Sequence, residues 1–178
     1  MILSDTDLKW YIKSAKLSVI PLQNDTIREN GLDLRLSNEI GRHLDNYKKY
    51  FILDPENKSH LKKTYKIKKL KQFIIKPQEQ ILLSTKERLE LPNDLVGFVE
   101  LRSSWARHGL SLPPTIIDAG FKGTITLEVI NNAPYSILLR ENYRFAHIVF
   151  LKTINNVSKS YKGFYQNQNG IKIPKKMT

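Results

Sequence analysis

The sequence predicts an all-β fold, a distorted barrel or jelly roll entered through one short helix. Three observations predict it. A helical hydrophobic period occurs near the N-terminus and vanishes after Pro21. Strict two-residue alternation then recurs in several short runs. Prolines at Pro55, Pro77, Pro92, Pro113, Pro114 and Pro134 keep those runs short. Many short strands at regular spacing suit a barrel or jelly roll.

The elements follow in order. Ser4-Asp5-Thr6-Asp7 has the Ser-x-x-acid spacing of a capping box. Leu8, Tyr11, Ile12 and Ala15 then repeat at i, i+3, i+4, i+7, which predicts a helix over about 5–15. Leu32-Asp33-Leu34-Arg35-Leu36 alternates and predicts a half-buried strand. Tyr50–Leu53, Tyr65–Leu70, Phe73–Ile75, Gln80–Ser84 and Val96–Leu101 are further short strands. Gly123–Ile130 is the cleanest, with Ile125, Leu127 and Val129 on one face and Thr124, Thr126, Glu128 and Ile130 on the other. Ser136–Leu139 and Phe145–Leu151 complete the set.

A chain of 178 residues is one domain by length. A chain of this size buries roughly 70% of its unfolded surface and needs no staples. We expect a single domain over 1–178, with a lysine-rich insertion at about 46–71 and a polar, aromatic, basic C-terminal arm at about 157–178. There is no cysteine, which removes disulfides, thiolate nucleophiles and Cys-ligated zinc. Met1-Ile2-Leu3-Ser4-Asp5 has no signal-peptide pattern, and no apolar run approaches a bilayer span. The expectation is a soluble, cytoplasmic protein.

The net charge is +12, from 29 Lys+Arg and 17 Asp+Glu. Nine lysines lie between Lys48 and Lys71, flanked by Tyr47, Tyr50, Tyr65 and Phe73, and three more between Lys172 and Lys176. This suits a solvated β-hairpin or loop plus a basic tail, a nucleic-acid contact, or steering of a small polyphosphate. His43, His60, His108 and His147 form no His-x-x-x-His or His-x-Glu pair, and no P-loop or dinucleotide fingerprint occurs. His147, inside an apolar strand, reads as a satisfied core or interface histidine.

Two stretches are chemically dense. Arg102-Ser103-Ser104-Trp105-Ala106-Arg107 follows a strand directly. Its guanidinium forks and hydroxyls match phosphate oxygens, or else form a surface turn with ordinary ion pairs. Ile117-Asp118-Ala119-Gly120-Phe121-Lys122-Gly123 reads as a tight hairpin, with Asp118 before it and Glu128 on the strand after it. Two acids beside the arginine–serine cluster would make a water-activating site.

These two motifs, with Thr126-Leu127-Glu128, resemble the core motifs of the dCTP deaminase/dUTPase superfamily. Met1-Ile2-Leu3-Ser4-Asp5, Gly31-Leu32-Asp33-Leu34-Arg35-Leu36, Lys76-Pro77, Leu91-Pro92-Asn93-Asp94 and Tyr161–Gly170 are similar to the deaminase branch. The resemblance covers most of the chain outside 46–71. It implies a dUTPase-like jelly roll, usually a homotrimer (or hexamer) with sites between subunits, acting on a small-molecule deoxynucleoside triphosphate rather than nucleic acid or membrane.

The resemblance also implies roles. Glu128 takes a proton from water near cytosine C4, Ser103 positions that water, and Arg107 holds the Glu128 carboxylate. Arg102 and Ser104 grip the triphosphate with its Mg²⁺, and no zinc is needed. Phe121 packs under the deoxyribose, and Asp118 binds the sugar hydroxyl or a hydrolytic water. Tyr161 and Gln168 close over the γ-phosphate. Arg107 with Glu128 implies a dCTP deaminase; Asp118 keeps open a dUTP diphosphatase or bifunctional enzyme. Four places depart from the family pattern: Leu101, the shortened Leu112–Ile116 loop, His147 and Phe164.

Overall fold

The computed structural model describes residues 1–44, 52–62 and 64–177. The elements are α1 (Asp5–Lys13), β1 (Ser18–Ile20), β2 (Ile27–Arg28), β3 (Gly31–His43), α2 (Lys58–Lys62), β4 (Tyr65–Lys69), β5 (Gln72–Ile75), β6 (Gln80–Thr85) and β7 (Arg88–Glu90). There follow β8 (Leu95–Leu101), α3 (Ser103–Arg107), β9 (Leu110–Ser111), β10 (Thr115–Ile117), β11 (Lys122–Gly123), β12 (Thr126–Asn131), β13 (Ile137–Arg140) and β14 (Arg144–Lys152).

The capping box forms: Ser4 Oγ accepts from the Asp7 N–H, and the Asp7 carboxylate accepts from the Ser4 N–H at 2.9 Å. Helix α1 buries Leu8 and Tyr11 against the sheet. Its other face stays wet, as a nine-residue helix held by packing rather than propensity requires.

A curled nine-stranded sheet makes most of the body, in the order β10-β8-β14-β3-β6-β12-β9, with β2 and β4 also paired to β3. Strand β3 is the hinge of that curl. Its first half pairs with β14 (Asp33↔His147). Its second half pairs with β6 (Gly41↔Leu82), across a register irregularity between Leu36 and Ile40. One long strand therefore serves both halves of the half-barrel, and the break in register lets the sheet turn a corner. Small sheets β1-β7-β11 and β13-β5 close the sides. The core between them is Leu, Ile, Val and Phe, with Phe145 and Phe150 the largest fully buried side chains.

Three expectations change. Leu32–Leu36 is not half-buried: Asp33 and Arg35 are as buried as the leucines between them. They stay there because each is paired, Arg35 to Glu87 and Asp33 to Arg102, Arg144 and His147. The lysine-rich segment, expected as a solvated hairpin or loop, contributes β4 to the main sheet, where it pairs antiparallel with β3. The strand predicted at Tyr50–Leu53 falls partly outside the described residues, and Ile52 and Leu53 are not in a strand.

Candidate active site

Strand β12 presents Leu127 and Val129 to the core and Glu128 to the opposite face, as the alternation predicts. Glu128 stands opposite Leu82 of β6. Its carboxyl enters a pocket of about 330 Å³ whose walls include Leu82, Ile117, Phe121 and Ile125. Burial among these apolar groups raises the Glu128 pKa, and only its own backbone N–H opposes the shift. Among the described residues it has no ion-pair partner. A half-buried carboxyl held in no ion pair suits a proton acceptor poised to become a donor.

The same pocket collects Asp118, Phe121, Tyr161 and Gln168. Asp118 ends the segment that follows β10, and its side chain is exposed at the rim. Phe121 is buried and its ring meets Tyr161 at 5.9 Å between centroids. Gly120 and Gly123 have φ of +82° and +146°. They also make room for the tail: a Cβ at Gly120 would lie 2.6 Å from Ser160 Cβ, and one at Gly123 2.8 Å from the Gln168 carbonyl oxygen. Gln168 donates from Nε2 to the Thr124 carbonyl at 2.5 Å. Its Oε1 is buried without a partner among the described residues. That open acceptor can take a hydrogen bond from a hydroxyl, an amine or a metal-bound water, but not from a bare phosphate oxygen.

The other predicted residues are not in this pocket. Ser103, Ser104 and Arg107 lie exposed on α3, their side chains unengaged among the described residues. Trp105 pins the helix: its Nε1–H donates to the Arg144 carbonyl at 2.8 Å, and its ring packs on Tyr143 and Phe145. Arg102 reaches Asp33, Nε to Oδ2 at 3.4 Å. The C-terminal end of α3 is fixed at Asn132, whose N–H donates to the Gly109 carbonyl. Among the described residues no ion pair or hydrogen bond joins Arg107 to Glu128, and Arg107 is not in the pocket wall.

Sequence reasoning assigned no role to several residues of the pocket wall. Tyr65, Gln80 and Lys172 line it together with Glu128. Tyr65 stood out only as an aromatic beside lysines. Register places it in the wall, because β4 extends the β12-β6-β3 sheet. His147 is satisfied as expected, its Nδ1 lying 2.9 Å from Asp33 Oδ1. No described helix is long and apolar enough to cross a membrane. Among the described residues no cluster of three or more His, Asp or Glu could hold a metal.

A family model described as dCTP deaminase-like matches residues 2–153. The chain belongs to that family. A dCTP deaminase from Sulfurisphaera tokodaii is 48% identical over 175 residues, covering 98% of this chain and 92% of its own. A protein of Sulfolobus islandicus rod-shaped virus 1, named "Probable deoxyuridine 5'-triphosphate nucleotidohydrolase", is 44% identical over 98% of this chain and 99% of its own. Among solved structures, 2'-deoxycytidine 5'-triphosphate deaminase from Agrobacterium tumefaciens is similar at TM-score 0.65 and 22% identity. That match covers 84% of this chain and 46% of that one, and it shows that this dCTP deaminase-like chain shares the fold.

Proposed function

We propose that the protein is a cytoplasmic dCTP deaminase, converting dCTP and water to dUTP and ammonia. The observation that carries the reading is Glu128, a half-buried carboxyl with a raised pKa and, among the described residues, no ion-pair partner, in a largely apolar-walled pocket. The full-length likeness to proteins named dCTP deaminase supports it.

In this reading Glu128 removes a proton from water as its oxygen attacks cytosine C4. The proton passes to the ring nitrogen, and a second transfer lets the C4 amino group leave as ammonia. Phe121 packs against the sugar, and Tyr161 and Gln168 hold the arm over the phosphates, whose Mg²⁺ arrives with the substrate. Proton transfer by a positioned carboxyl contributes roughly 10²–10⁴-fold, and the remainder falls to positioning and charge. Arg102, Ser103, Ser104 and Arg107 then come from a neighbouring copy, in a homotrimer. Two features support this assembly. The α3 side chains are exposed and unengaged. Phe98 and Ile116, paired on β8 and β10, are 37% and 59% exposed and form an apolar outer face that a second copy would cover.

The test is product analysis by ion exchange after incubation with dCTP and Mg²⁺. We expect dUTP and ammonia in equal amounts; pyrophosphate release without ammonia overturns the reading. Asp118 in the same pocket favours a second reading, in which it activates water at the α-phosphate and yields dUMP and pyrophosphate. Pyrophosphate from dUTP, abolished in Asp118→Asn, would establish that activity.

A further inference from the structure

The arm after β14 has neither helix nor strand from Val157 to Met177, yet it lies on the body along a continuous track. Tyr161 N–H donates to the Ala119 carbonyl (3.0 Å) and Asn167 N–H to the Lys122 carbonyl (2.7 Å). Thr124 N–H donates to the Gln168 carbonyl (3.1 Å), and Lys172 N–H to Thr126 Oγ1 (3.0 Å). The track follows the segment between Asp118 and Glu128. It sets Tyr161, Tyr165, Gln168 and Lys172 into the pocket wall.

One anchor comes from elsewhere. Glu39, on β3, accepts from the Ile171 N–H at 2.8 Å through Oε2, and its Oε1 lies 3.7 Å from Lys69 Nζ on β4. Its carboxylate fills a notch that only glycine leaves: a Cβ on Gly170 would lie 2.1 Å from Glu39 Oε2, and Gly170 has φ of +72°. Beside it the Ile171 side chain is buried over the bare surface of Gly41, where a Cβ would touch it at 3.6 Å. The proposed chemistry makes no use of Glu39.

We propose that Glu39 is the latch of the arm. It is a positioning residue whose carboxylate holds Ile171, and through it the Gln168–Lys172 stretch, over the nucleotide pocket, with Lys69 of the lysine-rich segment as its support. The proposal rests on the reading that this pocket binds a deoxynucleoside triphosphate. Ordering an irregular arm costs conformational entropy at every residue, so docking depends on a few strong contacts. A hydrogen bond to a carboxylate is roughly twice as strong as one between neutral groups. Loss of the latch lowers the docked fraction, and the apparent affinity falls in proportion. Saturating nucleotide rebuilds docking through its own contacts, so turnover at saturation survives.

The test compares Glu39→Ala, Glu39→Gln and Gly170→Ala with the full-length parent, by dCTP kinetics and by hydrogen–deuterium exchange of peptides covering 166–172. Glu39→Ala should raise KM about tenfold with kcat within about twofold, and should speed exchange in those peptides. Glu39→Gln keeps a carbonyl acceptor for Ile171 but loses the charge and the Lys69 pair, and should fall between the parent and Glu39→Ala in both. Gly170→Ala drives a methyl group into the carboxylate and should match Glu39→Ala. In the double variant its added effect should shrink, because the clash is gone. Unchanged exchange in Glu39→Ala, or a fall in kcat with KM preserved, overturns the latch. Faster exchange in a protein that turns over no dCTP would leave the latch standing and remove the deaminase reading instead.

Discussion

At the residue scale, Glu128 joins stability to function. Its pKa is raised because Leu82, Phe121 and Ile125 replace water around the carboxyl. In its proposed role as proton acceptor it must be ionised, so kcat/KM for dCTP should fall toward acid pH with a midpoint above the ordinary glutamate range. Glu128→Gln should lower kcat at least a hundredfold, measured by ammonia release. The folded chain binds this proton more tightly than the unfolded chain does. The native state is thus favoured as pH falls through the raised pKa and penalised above it. Glu128→Gln carries no such penalty. It should melt higher than the parent at neutral pH, and the difference should close below the ordinary glutamate range. Glu87 presents the opposite case, a fully buried carboxylate accepting from the Arg35 backbone at 2.7 Å and from its guanidinium at 3.4 Å. Burial raises its pKa despite the arginine. Glu87→Ala leaves the buried Arg35 N–H without an acceptor, while the guanidinium keeps Asp25 and Thr26, and should cost about 2 kcal/mol in urea unfolding.

At the element scale, helix α3 has five residues and no side-chain N-cap, too little to stand alone. It is held by Trp105 on Tyr143, Phe145 and the Arg144 carbonyl. Trp105→Ala should destabilise the protein by about 3 kcal/mol in urea. It should also lower kcat/KM for dCTP at temperatures where the fold persists, because Arg102, Ser103 and Arg107 lose their platform. The elements that local pattern encodes were legible. The capping box marks α1, and the Thr126–Ile130 alternation marks the face of Glu128. Leu32–Leu36 misled because alternation reports which side chains share a face, not whether the other face is solvated. Asp33 and Arg35 are buried by ion pairs reaching over fifty and over a hundred residues away, to Glu87 and to Arg144 and His147. Strands β1, β2, β7, β9 and β10, each of two or three residues, are too short to carry a period.

At the scale of the whole molecule, the candidate residues form two groups in one chain, a pocket with Glu128 and an exposed helix with Arg107. If a neighbouring copy joins them, two inactive variants should complement. Glu128→Gln and Arg107→Ala, unfolded together and refolded as a mixture, should regain about a quarter of the parent activity, since that share of sites pairs an intact pocket with an intact helix. Each variant refolded alone should stay inactive. A mixture no more active than its components would place the whole site within a single chain.

The fold class, the N-terminal helix, the face on which Glu128 stands and the residue types of both motifs were readable from the amino-acid order alone. These follow from spacing along the chain, which fixes local geometry. Three-dimensional packing was needed to reveal that Tyr65 and the arm share a wall with Glu128, that Arg102 leans on Asp33, and that Arg107 is not in that wall. Those relations depend on strand register and on contacts between distant segments, which no local pattern records.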